Sequence, residues 1–280
     1  MGKTIRSGRF YFWPIITANT VTMTLGIGGD LKRAFVLSII ISCLASFGFL
    51  LNDLWDRKTD EINRAGHFED AGFSTVMIGV VSALGFLLSG IGLALLLGRL
   101  ELKLAVGIAL ALVSYSLFLR KVLLLPTVLA AVLAASPLWT PLLLWSRTFD
   151  QSKWAFVVAI VLMVAGREIL MDSRDQRGDF ACGRQTMPTI FGARIAKMAA
   201  GMLIASAGVL LVATIASRVF LMPLQATVGA AAVTGAILYL VLPAALRTLN
   251  SETRETIQYF VIRSRIAMAL TPLLLLFWRP

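Results

Sequence analysis

The chain has 280 residues, 58% of them hydrophobic and 15% charged, against roughly 45–50% apolar content in soluble domains. With a mean hydropathy of +0.83, this excludes an ordinary soluble globular protein and implies a chain embedded in the lipid bilayer. The net charge of +11 would suggest a nucleic-acid partner in a soluble protein, but the bases sit in short connections between apolar runs, so they read as topology and no nucleic acid is expected. Cys43 and Cys182 form neither a disulfide framework nor a metal-ligand spacing.

Taken in chain order, Lys3, Arg6 and Arg9 precede the aromatic cluster Phe10–Trp13, which reads as an interfacial belt leading into a retained first helix. Apolar runs near the ~20 residues needed to cross a bilayer core then recur at roughly 13 to 29, 33 to 56, 73 to 98, 102 to 120, 122 to 146, 153 to 173, 192 to 217, 222 to 246 and 257 to 277. The expected fold is therefore a single all-α domain of about nine transmembrane helices.

An odd number of spans puts the two ends on opposite faces. The face carrying the N-terminus would hold 18 of the 26 Lys and Arg residues, so the positive-inside rule makes it cytoplasmic in a multi-pass cell-membrane protein. Of the 15 acidic residues, 12 fall on that face, and only Asp30, Glu101 and Asp150 fall on the other. Acids contribute little to orientation, so their gathering beside the bases points to a charged, polyvalent ligand on the cytoplasmic side.

The second span ends in Asn52, Asp53, Asp56 and Asp60, a spacing that places all four within about 100° of arc on one helical face. The sixth ends in Glu168, Asp172, Asp175 and Asp179, which share about 60° of arc if the helix continues that far. Asp53, Asp56 and Asp60 have the internal spacing of Asp172, Asp175 and Asp179, each offset by 119 residues. Four spans lie between, so both clusters emerge on one face and could converge if two halves, roughly 1–121 and 122–280, pack as pseudo-repeats.

Carboxylate oxygens in this pattern suit Mg2+, which takes a few carboxylates together with water and substrate phosphate. The same face carries Arg57, Lys58, Arg64, Arg120, Lys121, Arg167, Arg174, Arg177 and Arg184, bases of the kind that diphosphate oxygens need. A single cluster of this sort is as readily the solvated end of a span; two of matched spacing argue for one metal and diphosphate site.

Asn52-Asp53 with Asp56 and Asp60 resembles the first aspartate-rich motif of the UbiA superfamily of intramembrane prenyltransferases. Arg167-Glu168, Asp172, Asp175, Gly178-Asp179, Gly183-Arg184, Thr186, Pro188 and Gly192 are similar to the second, and Tyr115-Ser116 with Arg120-Lys121 to the family's tyrosine and basic pair. In place of the family's proline- and arginine-containing turn after the first motif, the chain reads Asn63-Arg64-Ala65-Gly66-His67-Phe68-Glu69-Asp70, with its only histidine at His67.

The resemblance implies a nine-helix bundle around a cavity open to lipid, with Asn52, Asp56, Asp60, Asp172, Asp175 and Asp179 holding two Mg2+ ions. It also implies contacts from Lys58, Arg120 and Lys121 to a prenyl diphosphate. Arg64, Tyr115 and Arg174 join the expected substrate-binding set, with Asp56, Asp60, Asp175 and Asp179 at the centre of catalysis. Trp55, Tyr115 and Phe118 are candidates to face an allylic cation through cation–π attraction. The leading acceptor is an aromatic ring; a glycerol phosphate hydroxyl, or self-attack in a terpene cyclase, are the alternatives, and a non-reacting carrier of phosphorylated lipid is a different class.

Overall fold

A computed structural model describes residues 9–63, 72–119, 122–218, 222–250 and 253–277. After a 3-10 turn at Phe10–Phe12 come α1 (Trp13–Gly26), α2 (Leu31–Trp55), α3 (Arg57–Asn63), α4 (Phe73–Leu97), α5 (Arg99–Leu117), α6 (Leu125–Ala134), α7 (Ser136–Trp145), α8 (Gln151–Ala181), α9 (Met187–Phe191), α10 (Ala193–Ala216), α11 (Leu224–Asn250) and α12 (Arg254–Leu276). Among the described residues every regular element is helical.

Among the described residues, seven helices are long and apolar enough to cross a membrane, or eight if the bent pair α6 and α7 counts as one span. The remaining expected span, α1, has 14 residues, about 21 Å at 1.5 Å per residue, and is short for a core of about 30 Å. It stops early because Gly28 takes φ +74°, a left-handed conformation that ends a helix.

The fifth expected span, read as continuous over 122–146, is instead bent by 68° between α6 and α7. Pro137 stands in the first turn of α7; it has no N–H to bond back into α6, and its ring clashes with the carbonyl four residues earlier, so the ladder cannot run on from α6. Ala130, Leu133, Ala134, Ser136, Pro137 and Leu138 at this break all face the internal cavity. The bend therefore opens a wall where a straight helix would have filled it.

α8 packs most extensively against α10 and also meets α6, α9 and α12. Its core neighbours, including Phe156, Val164, Leu170, Ile204, Ile237 and Phe260, form one buried cluster with α10, α11 and α12. A separate cluster joins α2, α4 and α5 through Ile40, Leu44, Ala94 and Ala105. Between these two groups α1 contacts α2, α7 and α12. Large apolar side chains such as Leu88, Leu96 and Val209 stay exposed, as expected of surfaces that face lipid rather than water.

The far end of α8 is tied by Asp150, whose side chain accepts from the Ser152 and Lys153 amides and pairs with Lys153 and Arg218. Burial pushes this carboxyl up, but the hydrogen bonds from Lys153 and Arg218 outweigh it and hold it at about 2. The α8–α10 seam depends on Gly166, where a Cβ would lie 2.8 Å from Ile204 Cγ1 and 2.9 Å from the Ala200 carbonyl oxygen. Gly166→Ala should thus destabilise the bundle by about 1–3 kcal/mol through overpacking. Gly107→Ala, at a site with nothing within 4 Å, should be neutral or stabilising by about 0.5–1 kcal/mol, both read as melting-temperature shifts in detergent.

Candidate functional site

The two aspartate clusters line one cavity of about 330 Å3. α2 breaks at Asp56, yet the Asp56 amide still bonds to the Asn52 carbonyl and the Asp60 amide to the Asp56 carbonyl, both at 2.8 Å. The helical register survives the bend, so Asn52, Asp56 and Asp60 share a face as the spacing implies. α8 runs unbroken through Ala181 and carries Asp172, Asp175 and Asp179 on the opposite wall.

Asn63 holds the walls together. Its Oδ1 accepts from the Gly178 amide at 2.9 Å, and its Nδ2 donates to the Asp175 carbonyl at 3.0 Å. The approach needs a glycine at 178, because a Cβ there would stand 2.7 Å from the Thr59 carbonyl oxygen. Past α8, Gly183 at φ +69° reverses the chain. Arg184 folds back so that its Nη1 donates to Asp179 Oδ1 at 3.0 Å and lies 3.8 Å from Asp56 Oδ1, joining the two motifs directly.

Other arginines divide the remaining acids. Arg174 pairs with Asp175 through Nε at 2.8 Å and through Nη2. Arg9 reaches Asp53 at 3.1 Å while its guanidinium lies 4.4 Å from the Phe49 ring centre. Arg167 donates to Glu168 Oε1 at 3.2 and 2.7 Å. Arg265 lies beside the adjoining rings of Tyr11 and Phe12, at 5.7 and 5.5 Å, and its buried Nε has no hydrogen-bond acceptor among the described residues.

Of the residues singled out from sequence, Asn52, Asp56, Asp60, Tyr115, Asp172, Arg174, Asp175 and Asp179 line the cavity. Lys58 is exposed and is not on its wall; two residues beyond Asp56, it lies about 200° around the helix. Arg64, His67, Arg120 and Lys121 lie outside the described residues. Trp55 and Phe118 are 57% and 71% exposed, so of the three aromatic candidates only Tyr115 faces the cavity. Phe12 and Phe49 line it instead. The reading from sequence missed Arg9, Thr59 and Asn63; Asn63 stands three residues beyond Asp60, one turn further along the same helix, and that periodicity was a usable signal.

Among the described residues, seven acids line the cavity (Asp53, Asp56, Asp60, Glu168, Asp172, Asp175 and Asp179) together with five arginines (Arg9, Arg167, Arg174, Arg184 and Arg265). Among the described residues, no three Asp, Glu, His or Cys side chains already close on one point in ligand geometry; the acids instead face arginines. Asp60 is pushed up to about 7, first by burial and then by the charges of Asp53 and Asp175. A wall of hard oxygen donors with an excess of negative charge fits a divalent cation that also brings its own water and ligand oxygens.

Because Asp60 binds its proton more tightly in the fold than in the unfolded chain, its contribution to stability falls as pH rises between about 4 and 7. Bound cation requires the ionised form and opposes that trend. Added divalent cation should therefore raise the melting temperature more at pH 8 than at pH 5.5, and Asp60→Asn should flatten the difference. Asn63→Ala removes both cross-wall bonds and should weaken cation binding about tenfold or more, measured by titration calorimetry.

The chain matches the model of the UbiA prenyltransferase family over residues 11–269. It is 27% identical over 163 residues to the digeranylgeranylglyceryl phosphate synthase of Methanopyrus kandleri, a match covering 58% of this chain and 59% of that relative's length. In structure it resembles a UbiA homologue from Aeropyrum pernix K1, with TM-score 0.73 and 16% identity over 92% of this chain and 96% of that one. It also resembles a UbiA homologue from Archaeoglobus fulgidus bound to DMAPP and Mg2+, with TM-score 0.66 and 17% identity over 97% and 99% of the two chains. With paired aspartate walls, an all-helical apolar bundle and a family match running almost end to end, the chain belongs to the UbiA prenyltransferase family.

Proposed function

We propose that this protein is a Mg2+-dependent intramembrane prenyltransferase, which cleaves an isoprenoid diphosphate and joins the prenyl group to an acceptor. The observation that carries this reading is the cavity itself: acids and arginines at one end pass continuously into an apolar chamber lined by Ile15, Ile41, Ala45, Leu133 and Leu138. An anionic head and a hydrocarbon tail need those two environments in that order. The Archaeoglobus relative, bound to DMAPP and Mg2+, supports it.

Asp56 and Asp60 on one wall and Asp175 and Asp179 on the other, with Asn52 and Asp172, would hold Mg2+ between them. When bound, the metal supplies positive charge to neutralise the leaving diphosphate. Arg174 and Arg184 are placed to turn from their aspartates toward diphosphate oxygens, adding charge-assisted hydrogen bonds at the same end. Tyr115 is the aromatic candidate to face an allylic cation, and the surrounding aliphatic walls keep water from it. The charge bias of the loops favours an arrangement with the N-terminus and this site on the cytoplasmic side.

The second substrate is the finer question. An aromatic ring remains one reading, in which a ring carbon attacks and loses its proton. A prenylated glycerol phosphate, whose free hydroxyl attacks to form an ether, is favoured by a specific observation: the relatives in Methanopyrus kandleri and Methanoculleus marisnigri are both named digeranylgeranylglyceryl phosphate synthase. Arg265, with its Nε lacking an acceptor and Arg167 nearby, suits an acceptor that carries its own anion.

Purified protein, labelled prenyl diphosphate and Mg2+, assayed with each acceptor in turn, tests this. Asp56→Ala and Asp175→Ala should each lower turnover at least a thousandfold, by about 4 kcal/mol of barrier, and chelation should do the same until Mg2+ is restored. If both variants turn over normally, the metal chemistry is wrong. A cyclic product formed without acceptor would move the assignment to a terpene cyclase.

A further inference from the structure

The apolar chamber has a defined end. α8 runs the length of the cavity from Asp179, Asp175 and Asp172 to Ile160, which lies 12 residues before Asp172, a distance of about 18 Å along the helix axis. Beside it, Thr271 of α12 donates to Asn19 Oδ1 of α1 at 2.7 Å, and both side chains are buried. Asn19 is anchored in turn by its Nδ2, which donates to the Ile15 carbonyl at 2.9 Å.

Ile160 and Thr271 also line a second, much smaller space of about 20 Å3, which lies between α8, α10 and α11 against Ala207 and Gly208. The same two side chains touch both spaces, so they form the partition between them. A polar pair is an unexpected choice for the bottom of an apolar chamber. Here each polar group is satisfied by the other or by its own helix, so the pair presents a rigid stop and not an adaptable aliphatic surface.

We infer that Ile160, together with the Asn19–Thr271 bond, is the floor that sets the length of prenyl chain this protein accepts, and that the length is three to four isoprene units. This rests on the prenyl-transfer reading above. Each unit contributes four backbone carbon–carbon bonds of about 1.5 Å, roughly 5 Å when extended in zigzag, so about 18 Å from the Asp172 level to Ile160 holds between three and four. A longer chain meets the partition; a shorter one leaves apolar surface uncovered and binds less well.

The test is a chain-length profile from two to six isoprene units, measured on the full-length protein with Mg2+ as kcat/KM. The wild-type optimum should fall at three or four units. Ile160→Ala, which opens the chamber toward Gly208, should raise relative kcat/KM for the five-unit substrate about tenfold or more. Ile160→Phe should move the optimum shorter by one unit, and Gly208→Leu in the Ile160→Ala background should cancel the gain.

An optimum at two or six units, or a profile unmoved by both Ile160 variants while turnover persists, overturns the floor. Binding of uncleavable thiolodiphosphates of the same lengths, read by thermal shift, reports the floor without chemistry. Absent turnover with a binding optimum retained at three to four units would overturn the proposed reaction and support the floor; binding indifferent to length would overturn the floor.

Discussion

Holding many carboxylates and arginines, seven and five among the described residues, around one cavity inside an apolar bundle is the constraint on which the remaining structure depends. Ionised groups at membrane depth are expensive unless each finds an opposite charge or a wet cavity. The arginines answer that demand unevenly. Arg174 is spent on Asp175 and Arg184 is shared between Asp179 and Asp56, while burial, and after it the charges of Asp53 and Asp175, raises the proton affinity of Asp60. A divalent cation would add positive charge between the two acid walls, alongside the arginines that already bridge them.

Several features of the fold serve that arrangement. α8 is 31 residues long, well over the ~20 needed to span, so its last turns carry aspartates beyond the apolar stretch without losing helical register. The glycine at 178 lets α3 approach within hydrogen-bonding distance of α8, and Asn63 uses that approach to bond two main-chain groups across the gap. The matched aspartate triplets are not conformational copies: the first is interrupted at Asp56, the second is continuous. The interruption lets α3 turn across the head of the cavity and meet α8.

The opposite end of the cavity is shaped by packing rather than charge. The proline-broken α6–α7 pair supplies one wall, and Arg265, beside the rings of Tyr11 and Phe12, adds a cation to the lining. α1 joins both halves of the bundle through α2 and α12, so the N-terminal segment is part of the cavity rather than an appendage. For the proposed reaction, the consequence is a head site that accepts multivalent anions, next to a hydrocarbon chamber of limited depth.

The sequence by itself determined the membrane class, nearly all the helical segments and the carboxylate walls. Those properties follow from residue type and periodicity, and a helix turns at the same 100° per residue whatever surrounds it. Asn52, Asp56 and Asp60, like Asp172, Asp175 and Asp179, were legible for that reason. Lys58 shows the reach of the same rule, since its position two residues past Asp56 already turns it outward. Only the tertiary structure decided that Asn63 clasps Gly178, that Arg9 and Arg265 enter the cavity from distant parts of the chain, and that Ile160 and Thr271 line both the cavity and the small space beside it. Such pairings join residues more than 250 positions apart, as Asn19 and Thr271 are at 252, and no local period encodes them. They arise from how helices with broad apolar faces choose among neighbours, a choice settled by close packing over the whole bundle at once.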